Sequence, residues 1–337
     1  MHITTIQIHQ PAGLLRIRID GDLEGWCPGV PWASSQDITQ RYADVLIGED
    51  PINRERIWQG MVEIDLSHHT VLRGYIDVAL WDLVSKHAGL PIYRHIGGFR
   101  DRVPAYKRGR ADLETVQIVK EAVQAQDDGF FGYKITCRSG PDTMTQLCQD
   151  IRRATGPDFY LMLDGGQQYD IAEAVRIGHT LDEMDAYCFN QPRPNGDFTG
   201  SKQVADEIDT PVTMGAVTLL NASQMLTAQA ADMVCVDTSS CGGITDALKI
   251  ARCAEAFGVH CHPMGTGIAC GFAHAHLLGA IKNGPFYEVD CVEPRTDPIG
   301  NGIRVEDGHL LVPSGAGLGI EPDWTEIERR SDDVISA

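Results

Sequence analysis

Residues able to exchange protons or hold an anion recur in this chain at one kind of place, the end of a short apolar run. Lys134 and Thr136 end the run 131–136, Asp164 ends 159–164, Asn190 ends 186–190 and Asp237 ends 233–237. Gly215 and Ala216 follow 211–214, His260 and His262 stand in 259–262, and Glu288 stands in 286–289. Strand ends meet solvent, so a polar residue there is inexpensive. Period-two alternation along the runs nevertheless turns these side chains to one side. Carboxylates, an ammonium group and imidazoles gathered there would form one pocket for acid–base and electrostatic chemistry. His260-Cys261-His262 with Asp237 also imitates a soft-metal site. A zinc site needs three or four good ligands, and this group is too thin.

Such a pocket needs a frame, and the spacing describes one. From residue 103 onward, short apolar runs alternate with amphipathic stretches. The runs are 103–107, 131–136, 159–164, 186–190, 211–214, 233–237, 259–262 and 286–289, with helices expected at 112–126, 171–183, 245–257 and 269–282. A repeat of about 25 residues suits strand–helix units, and eight of them predict an α/β fold with a (β/α)8 TIM-like barrel. Barrel enzymes place their catalytic groups at the C-terminal strand ends, where these polar residues lie.

The first hundred residues read as an α+β capping domain. Residues 3–9 and 14–20 alternate as strands about the turn Pro11-Ala12-Gly13, and 37–46, 53–61 and 71–87 look helical. In the last of these, Leu72, Tyr75, Ile76, Ala79, Leu80 and Leu83 form an apolar stripe that Gly89 and Pro91 bring to an end. Residues 303–320 return to short strand-like pieces. The expected domains are therefore a cap at 1–100, a barrel at 101–302, and a C-terminal segment at 303–337 that returns to the cap.

The 337 residues carry 47 Asp and Glu against 28 Lys and Arg, a formal charge of −19 and a sequence pI near 4.9. That excess argues against nucleic acid and against anionic membranes as partners. An acid substrate must then be captured by local cations. No apolar run approaches the roughly 20 residues of a membrane span, and the N-terminus lacks a signal-like core. The ten cysteines sit mostly in apolar runs and form no CxxC pair. Reduced thiols in a cytoplasmic protein are expected.

Gly48-Glu49-Asp50-Pro51, Asp77-Val78-Ala79-Leu80-Trp81-Asp82, Gly89-Leu90-Pro91 and Gly97-Gly98 look like a known capping-domain and linker signature. Pro313 with Gly317-Leu318-Gly319 looks like the matching C-terminal return. On these motifs the chain resembles the enolase superfamily, and within it the mandelate racemase/muconate lactonizing enzyme-like members, over nearly its whole length. The resemblance implies a Mg2+ ion that holds a substrate carboxylate and a base that removes the proton α to it. The intermediate is a dianion, so a cation and cationic neighbours must stabilise it.

The departures from that pattern are concentrated in the pocket. The family carries acidic ligands at the ends of its third, fourth and fifth barrel strands. Asp164 matches the first, Asn190 in Phe189-Asn190-Gln191-Pro192 offers an amide at the second, and Ala216 offers no ligand at the third. Each lost anionic ligand weakens a hard-cation site, so Mg2+ is expected to be weak or absent, held at most by Asp164 and Asn190. The second strand reads Lys134-Ile135-Thr136 where the family has Lys-x-Lys. Lys134 remains to contact the carboxylate, and Thr136 lacks the basicity of the second Lys. Asp237 matches the sixth-strand acid that pairs with a seventh-strand His.

That His is ambiguous. Counted from Phe257-Gly258, Met264 takes its place; counted back from the following helix, His262 falls beside it. An Asp237–His262 dyad would supply the base, and a polar core residue is the alternative. Glu288 fits the eighth-strand acid that assists at the carboxylate, and His260, on the same face as His262, is assigned to substrate binding. His68, His69 and residues 26–32 lie in stretches that cap the site in this family. The short turn at 11–13 replaces a longer capping loop, which suggests a more open pocket or a larger substrate.

The expected activity is removal of the proton α to the carboxylate of a hydroxy or sugar acid, leading to dehydration or to racemisation or epimerisation. The protein would be a lyase or isomerase, a homo-oligomer acting on a small-molecule carboxylate. Two alternatives stay open: a metal-independent isomerase or lyase on another activated substrate, and a non-catalytic family member.

Overall fold

Apolar alternation near the N-terminus produces an antiparallel sheet in the computed structural model, which describes residues 1–65, 70–136, 139–265, 268–290, 303–331 and 333–337. Its strands are β1 (Ile3–Gln10), β2 (Leu14–Ile19) and β3 (Glu24–Cys27). Helices α1 (Ser35–Leu46), α2 (Arg54–Ile64) and α3 (Thr70–His87) and the single turn α4 (Ile92–His95) complete the cap. The strand β3 goes unread in the sequence because it is short and contains Gly, a poor strand former. Packing explains the residue: a Cβ at Gly25 would lie 2.1 Å from the Ala79 carbonyl oxygen of α3.

The repeating part follows as β4 (Arg102–Arg108), α5 (Thr115–Asp127), β5 (Gly132–Ile135), α6 (Pro141–Thr155), β6 (Tyr160–Asp164), α7 (Ile171–Glu183), β7 (Cys188–Asn190) and α8 (Phe198–Glu207). It continues with β8 (Val212–Ala216), α9 (Leu219–Thr227), β9 (Met233–Val236), α10 (Thr238–Cys241), α11 (Ile244–Ala256), β10 (His260–Pro263), α12 (Ile268–Ala280) and β11 (Tyr287–Val289). Strands β4 to β10 pair in sequence order, all parallel, and β11 pairs back onto β4. At the seam between β10 and β11, the Cys261 N–H donates to the Asn283 carbonyl at 2.9 Å. This is the (β/α)8 barrel with its α+β cap.

The C-terminal segment divides between the two bodies. The hairpin β12 (Arg304–Glu306) and β13 (His309–Leu311) lays β13 antiparallel on barrel strand β4. Helix α13 (Trp324–Arg330) then leads to β14 (Asp333–Ser336), which pairs with β1 and becomes the fourth strand of the cap sheet.

Helix α3 joins cap to barrel. Its apolar stripe, Leu72, Tyr75, Ile76, Ala79, Leu80 and Leu83, is buried, and so are its polar Arg73, Asp77 and Asp82. The Asp77 carboxylate accepts from the Thr245 N–H at 2.9 Å and the Thr245 hydroxyl at 2.6 Å. The Trp81 indole N–H donates to the same hydroxyl at 3.0 Å. Arg73 bridges Asp65 at 2.9 Å and Asp246 at 3.0 Å, and Trp58 donates to Asp246 at 2.9 Å. Because Thr245 and Asp246 open α11, this seam anchors the segment that follows Asp237. Complete burial raises the Asp77 carboxyl to about 7, and the hydrogen bonds from Thr245 only limit the rise.

Among the described residues no helix is long and apolar enough to cross a membrane. Cys148, Cys188, Cys235, Cys241, Cys253 and Cys261 are thiols outside any disulfide.

Candidate active site

The inward positions of the barrel strands carry the polar residues singled out by alternation. Lys134, on β5, is 2% exposed, and its ammonium donates to the Oε2 of Glu288 on β11. Tyr106 on β4 donates its hydroxyl to that same oxygen at 2.6 Å, and the Gly265 N–H reaches Oε1 at 3.3 Å. Burial by itself would raise the Glu288 carboxyl, but the Lys134 ammonium, the Tyr106 hydroxyl and nearby Arg108 hold it below its ordinary value. Burial, then the Glu288 charge, pushes the Tyr106 phenol well up, so it stays a donor. At the rim above them, Arg108 pairs with Asp290 at 3.3 Å.

Asp164 and Asn190 end neighbouring strands and lie directly opposite one another in the ladder. The Asp164 Oδ1 accepts from the Gly166 N–H at 2.9 Å. Asn190 is 2% exposed, and its Oδ1 accepts from the Thr213 hydroxyl and from the Cys235 thiol at 3.1 Å. Its Nδ2 is buried without a hydrogen-bond partner. An unmet buried donor costs about 1–3 kcal/mol, so this amide is held in place against a penalty. Ala216 is buried and brings no donor atom. At the neighbouring Gly215 the Asn195 Oδ1 accepts from the Gly215 N–H at 2.9 Å and from the Gln191 side chain at 3.1 Å. Thr136 turns away, its hydroxyl donating to the Gly109 carbonyl at 2.6 Å.

Asp237 is 29% exposed on its side chain and accepts from the Ser239 N–H at 2.9 Å and the Ser239 hydroxyl at 2.8 Å. The imidazole that reaches it is not His262 but His274, from α12, whose Nε2 is 3.8 Å from the Asp237 Oδ1. The same Nε2 accepts the Thr238 N–H at 3.1 Å, so His274 also holds the start of α10. Gly265, at φ +154°, lies across this carboxylate, where a Cβ would come within 2.6 Å of the Asp237 Cγ.

The expected Asp237–His262 dyad is not what the structure builds. Strand β10 extends to Pro263, and in register His262 lies beside Cys235 and His260 beside Met233. Met264 donates its N–H to Val236 at 2.9 Å and stands at the level of the mouth. His262 is thus two residues, about 6–7 Å, below Asp237 along the barrel axis. Its Nε2 meets the Tyr187 hydroxyl at 3.3 Å instead. Burial, then the nearby His260 and Lys134, pushes its imidazole down to about 3, too weak a base for chemistry at neutral pH. His260 begins β10 and is exposed at the opposite, N-terminal end of the strands, away from the mouth to which substrate binding was assigned.

Tyr106 is a site residue that the strand 103–107 could have shown, and Arg108, one residue beyond that run, follows it inward by the same alternation. His274 could not be found this way, because a helix delivers it. Trp26 is buried in the cap core and Trp32 is exposed. His68 and His69 lie outside the described residues.

Comparison with known proteins matches the chain to a family. The mandelate racemase/muconate lactonizing enzyme N-terminal domain matches residues 1–97, and the enolase C-terminal domain-like family matches residues 117–326. The chain belongs to the enolase superfamily, in its mandelate racemase/muconate lactonizing enzyme branch. It is 30% identical to D-galactarolactone cycloisomerase of Agrobacterium fabrum, over 91% of this chain and 88% of that protein. It is likewise 30% identical to L-talarate/galactarate dehydratase of Salmonella typhimurium, over 85% of this chain and 74% of that one. The solved structure of D-glucarate dehydratase from Agrobacterium tumefaciens, complexed with magnesium, superposes with a TM-score of 0.87 at 26% identity, covering 98% of each chain.

Magnesium in that neighbour invites a test of the donors here. A hard cation needs several oxygen ligands, mostly anionic. Of the three places that the resemblance assigns, Asp164 is a carboxylate, Asn190 is an amide whose oxygen is occupied by Thr213 and Cys235, and Ala216 packs its methyl into the apolar core behind β8. Among the described residues no group of three or more His, Cys, Asp or Glu is arranged to hold a metal ion. This donor set does not fit a Mg2+ site of the family's kind.

Proposed function

We propose that the chain is an enzyme that removes the proton α to the carboxylate of a small hydroxy or sugar acid, leading to dehydration or epimerisation. The buried pair of Lys134 and Glu288 carries this reading. Taking both charges out of water costs several kcal/mol per ion before their attraction offsets it, a poor route to stability alone. At the C-terminal end of a barrel, such a pair places an ammonium where a substrate carboxylate would sit.

In this reading Asp237, at the exposed mouth, accepts the α proton, Ser239 sets the position of its carboxylate, and His274 holds the following turn through the Thr238 N–H. The bonding electrons pass into the carboxylate as an enediolate, which Lys134 stabilises directly and Glu288 with Tyr106 supports by fixing the ammonium. Transfer of the proton from Asp237 to a β-hydroxyl releases water. Protonation from the Lys134 side, across the barrel, inverts the centre instead. The named activities of the cycloisomerase and dehydratase relatives support a sugar-acid substrate. A homo-oligomer is part of the same reading, to be read by light scattering.

Incubation in D2O with galactarate, L-talarate and arabinonate, followed by proton NMR, tests the proposal. Loss of an α-hydrogen signal is expected, slowed about 100-fold or more by Asp237→Asn. Folded protein that neither exchanges nor consumes any acid of the panel would sink it.

A further inference from the structure

We propose that Asp164 and Asn190 bind an α-hydroxycarboxylate directly, with no divalent cation between protein and ligand. The Asn190 amide donates to a carboxylate oxygen, and the Asp164 carboxylate accepts from the α-hydroxyl. The inference rests on the site assigned in the preceding subsection and names the ligand pattern that site reads.

The orientation of one amide is central. Thr213 and Cys235, on β8 and β9, hold the Asn190 Oδ1 on their side. An amide is planar with its nitrogen opposite its oxygen, so Nδ2 is turned away from Thr213 and Cys235, and Asp164 ends the strand on the other side of β7. Nδ2 has no partner in the protein, while Asn190 is 2% exposed. A buried N–H group in a strand-end pocket calls for an acceptor, which a cation is not. The same N–H bonds would repel a cation at the place where the family offers a carboxylate.

Asp164 supplies the complement. Its only hydrogen bond among the described residues is the Gly166 N–H to Oδ1, and Oδ2 has capacity to accept. The two residues are direct ladder partners, about 4.8 Å apart between strands, so acceptor and donor stand side by side. An α-hydroxycarboxylate presents the mirror pattern on adjacent atoms, a hydroxyl that donates and a carboxylate that accepts. Lys134 lies within the same interior: its charge acts on Cys235 and Cys188, together with those of Asp164 and Glu288. The amides of Gln191 and Asn195 stand against Gly215, on the inward face of β8, and add further hydrogen-bonding groups there.

The test titrates EDTA-treated, full-length protein with glycerate and with 3-hydroxypropionate, monoanions that differ by the α-hydroxyl alone, and follows binding by NMR. Glycerate should bind without metal, about tenfold more tightly than 3-hydroxypropionate, and added Mg2+ should not tighten it. Asn190→Ala should weaken glycerate about tenfold, and Asp164→Ala should make the two acids bind alike. Asn190→Asp turns the donor into an acceptor, so it should lose binding in EDTA and recover it with Mg2+. Thermal unfolding of each variant checks the fold, and the wild-type comparison needs no variant. The proposal is overturned if glycerate binds only with Mg2+, if both acids bind wild type equally, or if folded Asn190→Ala binds unchanged. An α-proton exchange that requires Mg2+, with glycerate binding that requires it too, would remove this inference and leave the reaction standing. Glycerate bound in EDTA with no acid ever exchanging would support this inference and remove the reaction.

Discussion

At the seam between cap and barrel, Arg73 lies between Asp65 and Asp246, and Asp77 meets both polar groups of Thr245. At the barrel mouth, by contrast, one ion pair is buried and a neighbouring amide is left with an unmet donor. The seam turns its carboxylates and hydroxyls on one another and leaves only guanidinium N–H groups of Arg54 and Arg73 unmet. The mouth keeps groups that are complete only when something else enters. A chain with formal charge −19 therefore spends buried carboxylates on joining its domains, while at the strand ends the ladder partner of Asp164 is the amide Asn190.

The largest effect is expected at the seam. Arg73→Met leaves Asp65 and Asp246 buried without their cation and should cost about 3–5 kcal/mol in urea unfolding. A loss below about 1 kcal/mol would erase the distinction, since that is the value of an exposed pair.

Converting the mouth toward the family pattern inverts the contrast. The double variant Asn190→Glu with Ala216→Glu should be destabilised in EDTA and recover about 2.7 kcal/mol at a Mg2+ concentration one hundred times its dissociation constant. Wild-type protein should show no such recovery. A Mg2+-dependent rise in wild-type Tm of similar size would restore the metal reading.

Acid separates the regions by sign. The Asp77 carboxyl is raised to about 7 against 3.8, so the folded chain keeps a proton that the unfolded chain releases. Its contribution to stability is full below the unfolded value and is lost as pH rises through about 7. His262, pushed down to about 3 against 6.5, acts oppositely, and its contribution is lost as pH falls. Asp77→Asn removes the first and leaves the second. Between about pH 7.5 and 5 the variant should lose on the order of 2 kcal/mol more than wild type on acidification. Parallel pH profiles would show that Asp77 does not titrate there.

The smallest effect concerns one hydrogen bond. Trp81→Phe removes the indole donor to Thr245 and should cost about 1 kcal/mol without altering glycerate affinity. A change in that affinity would couple the seam to the mouth.

The eight barrel strands were legible because apolar runs with alternating inward residues recur at one spacing, and β4 to β11 follow those runs within a few residues. The same alternation places Lys134, Asp164, Asn190 and Glu288 inside the ring. Strand β3 was illegible, since Glu24–Cys27 owes its extended form to packing under α3. The base was misplaced for a related reason. Ending the seventh barrel strand one residue early raises His262 to the mouth, whereas β10 runs to Pro263 and carries it below Asp237.

By itself, then, the sequence determined the architecture and the ring of inward polar residues. These depend on composition and on periods that neighbouring residues share. Tertiary structure alone decided that His274 from α12 meets Asp237, that Glu288 satisfies Lys134, and that Thr213 and Cys235 turn the Asn190 amide outward from β8 and β9. Each of those contacts joins residues far apart in the chain, where no local period constrains which atoms meet. The direction of a single amide, and with it the choice between holding a cation and holding an oxygen, is such a contact.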